Sequence, residues 1–147
     1  MYLVSAEATI RCSREKVWQV LTDFEKYQEW NRFTPTANFK PEVGWIGKLE
    51  VRMNLAKEKT AWYPEEVKSW KEGYEIKWGV PHTTWYIQSL RTQRLTEIDE
   101  HTTRYRTDEL LWGPIAWCTF PFVRKGIQEG FDEVARALKE RVESLYG

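Results

Sequence analysis

The chain has 147 residues, with 22 basic against 22 acidic side chains and a formal net charge of zero. That length supports one domain with a sizeable core and is too short for two ordinary ones. The lack of a basic excess argues against nucleic acid or an anionic membrane as partner, and no apolar run reaches the roughly 18 residues of a membrane span.

Residues 2–11 alternate, with Val4, Ala6, Ala8 and Ile10 on one face, the pattern of a half-buried strand. Ser13 is a candidate N-cap, and Glu15 falls in the first turn behind it. Val17, Trp18, Leu21 and Phe24 recur at helical spacing and predict a short helix over about 14–23. The aromatic and charged segment 24–33 predicts a second short helix or turn ending near Asn31. After Pro41 the period becomes two: Trp45, Leu49, Val51, Met53 and Leu55 share one face, Lys48, Glu50, Arg52 and Asn54 the other. Residues 60–69 and 74–79 predict two further strands joined at Lys71-Glu72-Gly73. A turn over Gly79–His82 precedes two long strands, about 84–98 and 102–112, joined by Asp99-Glu100-His101. Gly113 and Pro114 end the last strand. Ile127, Phe131, Val134, Leu138, Val142 and Leu145 then step by three or four residues, one face of a long amphipathic helix. The order is strand, two short helices, about five strands and one long helix, in a single domain over 1–147. A long amphipathic helix beside an antiparallel sheet must pack on one face of it.

Aromatic side chains are abundant: 9 Trp, 7 Tyr and 6 Phe, against 2 His and 2 Cys. Each large aromatic can bury on the order of 150–250 Å², and a core this small needs only part of that surface. The surplus points to an apolar pocket with indole and phenol groups as polar handles. Candidates for lining it are Trp45, Tyr63, Trp78 and Trp85 from the strands and Trp117, Phe120, Ile127 and Phe131 from the closing segment.

The last hairpin carries the best candidate chemistry. Arg104, Arg106 and Asp108 share a face that suits solvent, so Tyr105, Thr107 and Glu109 point inward. A three-residue loop at 99–101 sets Arg91 opposite Glu109, Gln93 opposite Thr107 and Leu95 opposite Tyr105; a two-residue turn would shift that register. Gln93 and Thr107 join the candidate ligand-binding residues. Glu109 can be a desolvated general acid or base, or half of a cross-strand ion pair with Arg91 that braces the sheet. His82, in the turn beside Pro81, can rim a pocket mouth or be a solvated loop residue. Glu109, Arg91, Tyr105 and His82 are the candidate catalytic residues. No spacing suits a metal, and no Gly-rich phosphate loop occurs, so neither metal nor cofactor is expected. Cys12 and Cys118 form no pattern and fit a reducing compartment. With no basic start leading into an apolar run at 1–11, a cytoplasmic protein is expected.

Several strings resemble the SRPBCC superfamily, also called START-like or Bet v 1-like. They are SREKVWQVLTDFEKYQEWNRF (13–33), Gly44-Trp45-Ile46-Gly47, SLRTQRL (89–95), TTRYRTDELLWGP (102–114) and FDEVARALKERVES (131–144). The nearest flavour is the polyketide cyclase/dehydrase-like group. The resemblance implies an α+β helix-grip fold, in which a curved antiparallel sheet of six to seven strands surrounds a long C-terminal helix, with two short helices after strand 1. It also implies a hydrophobic cavity between sheet and helix and carries over no universal catalytic residue. The expected activity is binding of a hydrophobic, aromatic or polycyclic small molecule, with cofactor-free cyclase, dehydratase or isomerase chemistry of secondary metabolism as the catalytic form. A non-catalytic lipid or small-molecule carrier or sensor is the alternative, and a filled interaction module a third. The expected partner is a hydrophobic ligand or substrate, with no nucleic acid and no membrane insertion, on a monomer or homodimer.

Overall fold

A computed structural model describes residues 1–147. Strand β1 (Tyr2–Ile10) buries Val4, Ala6 and Ile10 on one face, as the alternation requires. Helix α1 (Arg14–Thr22) buries Val17, Trp18, Val20 and Leu21. Ser13 stands at its N-cap, but the side chain makes no capping bond. A 3-10 helix (Phe24–Glu29) follows and buries Tyr27, whose hydroxyl donates to the Leu21 carbonyl. The remaining elements are β2 (Thr36–Asn38), β3 (Ile46–Val51), β4 (Ala61–Lys71), β5 (Glu75–Gly79), β6 (Gln88–Asp99), β7 (Thr102–Trp112) and α2 (Pro114–Tyr146). The seven strands form one antiparallel sheet in the order β1-β7-β6-β5-β4-β3-β2. This is the helix-grip α+β fold: one curved sheet, one long helix across its inner face, and α1 with the 3-10 helix packed at one end.

Four details differ from the sequence expectation. Strand β2 spans three residues, too few to show a period. Strand β3 ends at Val51, so Met53 and Leu55 continue its apolar face in a loop. Strand β6 starts at Gln88 rather than near 84, because its partner β7 ends where Trp112 pairs with Gln88. Leu145, on the expected helix face, is exposed beyond the last buried turn.

The β6–β7 connection is shorter than expected. Asp99 pairs with Thr102, leaving only Glu100 and His101 between them, but a bulge at Ile98 restores the register. Arg91 therefore still faces Glu109, Gln93 faces Thr107 and Leu95 faces Tyr105. A bulge-free two-residue turn favours positive φ at both central residues. No residue but glycine adopts positive φ in this chain, so the extra residue does the work that glycines would otherwise do.

Two glycines set how close the helix comes. A Cβ on Gly130 would lie 2.2 Å from the Phe33 ring, and one on Gly126 would lie 2.5 Å from the Met53 carbonyl oxygen. Helix α2 thus touches, through its backbone, the chain that leads into β2 and the chain that leaves β3. The core is continuous at the other end of the molecule, where Val134, Leu138 and Val142 pack with Ile10, Val17 and Leu21. Two indoles fasten α1 to the β4–β5 turn: Trp18 and Trp70 donate to the two oxygens of Glu72, at 2.9 and 2.8 Å.

Candidate functional site

The inner face of the β6–β7 hairpin divides in two. Towards the hairpin turn, Leu95, Thr103, Tyr105 and Thr107 are buried in protein. Towards the other end, Ser89, Arg91, Glu109 and Leu111 line a cavity of about 340 Å³. Helix α2 divides at the same level. Its C-terminal half packs, while Ala116, Phe120, Ile127 and Phe131 form a wall of the cavity. Of the 19 lining residues 14 are hydrophobic, so a polar group buried in the lining has few polar neighbours.

Three charged side chains reach this cavity: Glu65 from β4, Arg91 from β6 and Glu109 from β7. Arg91 is buried, and Thr107 orients it by accepting its Nε–H at 3.0 Å. Its guanidinium lies over Phe131, 4.4 Å from the ring centroid, with Trp78 at 5.8 Å. Although Arg91 and Glu109 are register partners, they form no ion pair, and Arg91 Nη2 has no hydrogen-bond partner. Glu65 Oε2 is buried without a partner as well. Burial pushes the Glu109 carboxyl up to about 7, against the opposing pull of Arg91. Burial first, and then the Glu109 charge, push Glu65 up to about 8, while Arg91 and Lys68 pull it down. Both carboxyls therefore hold protons into the neutral range, Glu65 more firmly than Glu109. The ionisations belong to the pair rather than to either residue.

The expected site residues separate by depth. Glu109, Arg91, Tyr63, Trp78, Phe120, Ile127 and Phe131 all line the cavity. Tyr105 faces inward but lies wholly in the core, donating its hydroxyl to Gln93 Oε1 at 2.6 Å. Gln93 and Thr107 belong to this same buried layer, which supports Arg91 from behind and does not reach the cavity. His82 is on the surface, its Nδ1 2.8 Å from Glu66 on the outer side of β4. Trp45 is half-buried beneath Lys40 and lies off the cavity. Trp85 and Trp117 are 77 % and 66 % exposed. Trp85 falls in the segment that β7 does not pair, and Trp117 on the solvent side of α2.

Glu65 is the charged cavity residue that sequence reasoning missed. Tyr63, Glu65 and Val67 alternate on one strand face, and Tyr63 was expected inward, so period two alone places Glu65 in the cavity. Its neighbour Glu66 hid it, because two adjacent acids read as solvated charge. The bulge at Lys68 then moves Trp70 onto the inner face next to Val67, which breaks the alternation a reader would use.

The fold and the chain's own family agree. A family profile described as "Polyketide cyclase / dehydrase and lipid transport" matches residues 1–143. The chain belongs to this family. No curated protein matches its sequence. Among solved structures, this family member resembles the ZhuI aromatase/cyclase from Streptomyces sp. R1128, with a TM-score of 0.75 at 12 % identity, over 97 % of this chain and 93 % of that one. It also resembles a START superfamily protein from Mycobacterium smegmatis, with a TM-score of 0.72 at 19 % identity, over 99 % of both chains. TTHA0849 from Thermus thermophilus is similar at TM-score 0.72 and 19 % identity, over 99 % of this chain and 100 % of that one. At these identities the likeness carries the fold alone. No helix of the family member is long and apolar enough to cross a membrane.

Proposed function

We propose that this protein binds an apolar, aromatic or polycyclic small molecule in the cavity, and that the Glu65–Glu109 pair moves a proton on it without a cofactor. The observation that carries this reading is the pair of desolvated carboxyls beside one unpaired guanidinium in an otherwise apolar chamber. A general base works best with its ionisation near the working pH, and a carboxyl reaches that range only when desolvated. At neutral pH one carboxyl of the pair is available to accept a proton and the other to donate one. Arg91 stands where it can stabilise an oxygen that gains negative charge as the proton leaves carbon. The apolar lining holds a guest against these charged groups, so the chamber also supplies orientation. Such chemistry fits a cyclase, dehydratase or isomerase.

The test uses 5-nitrobenzisoxazole, a neutral bicyclic probe. Removal of its ring C–H proton by a carboxylate breaks the N–O bond and yields a coloured cyanophenolate. The native protein is expected to turn it over with saturation, faster as pH rises through the pair's ionisation. The Glu65→Gln/Glu109→Gln double variant is expected to lose activity by about 100-fold or more. A native rate no better than that of free acetate would sink the catalytic reading. The apolar majority of the lining supports a second reading, a carrier without chemistry. Native mass spectrometry showing an apolar molecule retained by protein from its own host, with no turnover of the probe, would favour that reading.

A further inference from the structure

Arg91 is a cation at the wall of the cavity that forms no ion pair. It is 5 % exposed and held by Thr107 and Phe131, yet Nη2 has no acceptor. Glu65, on another wall of the same cavity, keeps a buried oxygen without a partner. A buried donor left unpaired is costly, and a charged one more so. A guest that satisfies the guanidinium gains more than apolar contact alone can give. We propose that this end of the cavity is a binding site for the carboxylate of an apolar monocarboxylic acid. The carboxylate accepts from the Arg91 guanidinium. The inference deepens the ligand-binding reading above and rests on it.

The charges around the site decide against the alternatives. The titratable groups of the lining are Glu65 and Tyr63 from β4, Arg91 from β6 and Glu109 from β7; β3, β5 and α2 contribute none. Lys68 acts on Glu65, and Tyr27 and Tyr105 lie within the electrostatic reach of Arg91. An arriving anion makes both carboxyls harder to ionise, and both already hold their protons to near neutral pH. The protein then takes up a proton as the acid binds, and the chamber's net charge hardly changes. An ammonium guest would instead meet the unpaired Arg91.

Three probes of one shape test this: naphthalenecarboxylate, naphthalenecarboxamide and naphthylmethylammonium. Each is titrated calorimetrically into the whole protein near neutral pH, in phosphate and in Tris. The carboxylate is expected to bind at least about tenfold tighter than the other two, the size of one charge-assisted hydrogen bond. Its apparent enthalpy is expected to differ between the buffers in the direction of proton uptake. In Arg91→Gln its advantage over the carboxamide disappears, and in Glu65→Gln/Glu109→Gln the proton uptake does. Equal binding of the carboxamide or the ammonium, or a buffer-independent enthalpy, overturns the proposal and leaves the cavity reading standing. No binding by any probe overturns both. If Arg91→Gln does not fold, the three-probe series on the native protein still decides.

Discussion

The buried polar layer behind the cavity is where single atoms matter most. Tyr105 and Gln93 satisfy each other where both are buried in protein, and Thr107 holds Arg91 beside them. Tyr105→Phe removes one hydroxyl and strands the Gln93 oxygen. Urea denaturation is expected to show a loss of about 1–3 kcal/mol, the cost of one buried unsatisfied acceptor. Thr107→Val keeps the shape but frees the Arg91 Nε. Its expected effect is larger on naphthalenecarboxylate affinity than on the denaturation midpoint, because the guanidinium loses its orientation. Thr107→Val binding the carboxylate as the native protein does would show that Phe131 alone fixes the guanidinium. The polar character of this layer was legible in the hairpin sequence. Its depth was not, since alternation places a side chain on a face and leaves open whether helix or cavity lies above it.

At the level of elements, the approach of α2 to Phe33 is the feature most open to test. Alanine is a better helix former than glycine by roughly 0.5–1 kcal/mol. At Gly130, however, the new Cβ would sit 2.2 Å from a buried aromatic ring. Overpacking of this kind costs about 1–3 kcal/mol, so Gly130→Ala is expected to destabilise despite its propensity. Phe33 also lines the cavity, and a ring displaced into it should weaken binding of the naphthalene probes. A variant with a raised melting temperature and unchanged binding would show that the helix can stand further off. The strand–helix order, the existence of the hairpin and the helix face were all readable from period and turn residues. The bulges at Lys68 and Ile98 were not, because a bulge adds a residue without a mark in the hydrophobic pattern.

Across the whole molecule, the carboxyl pair ties stability to pH. In the unfolded chain both groups ionise in the ordinary carboxylate range, whereas in the folded chain they hold their protons to about 8 and about 7. Between those limits the folded state binds more protons, so stability falls as pH rises. Glu66 and Glu143 act in the opposite sense, since hydrogen bonds hold their carboxyls below the ordinary range. Their stabilisation is lost as pH falls through their folded values. Glu65→Gln/Glu109→Gln is expected to match the native protein near about pH 5 and to exceed it near about pH 8 by roughly a few kcal/mol. Urea denaturation at the two pH values reads the difference, and equal native and variant stability at the higher pH would mean that the pair ionises as exposed carboxyls do.

By itself the sequence determined the element order, the inward face of the last hairpin and the surplus of aromatic surface. Each follows from local periodicity, turn chemistry or composition, which a linear chain displays directly. Only the tertiary structure decided that the helix packs along its C-terminal half and stands off along the rest. It also decided that Glu65 joins Glu109, and that Trp85 and Trp117 face solvent while Tyr105 is sealed in the core. Those outcomes depend on sheet curvature and on two bulges, through which residues far apart in the chain come to share one space, and no local pattern encodes that distance.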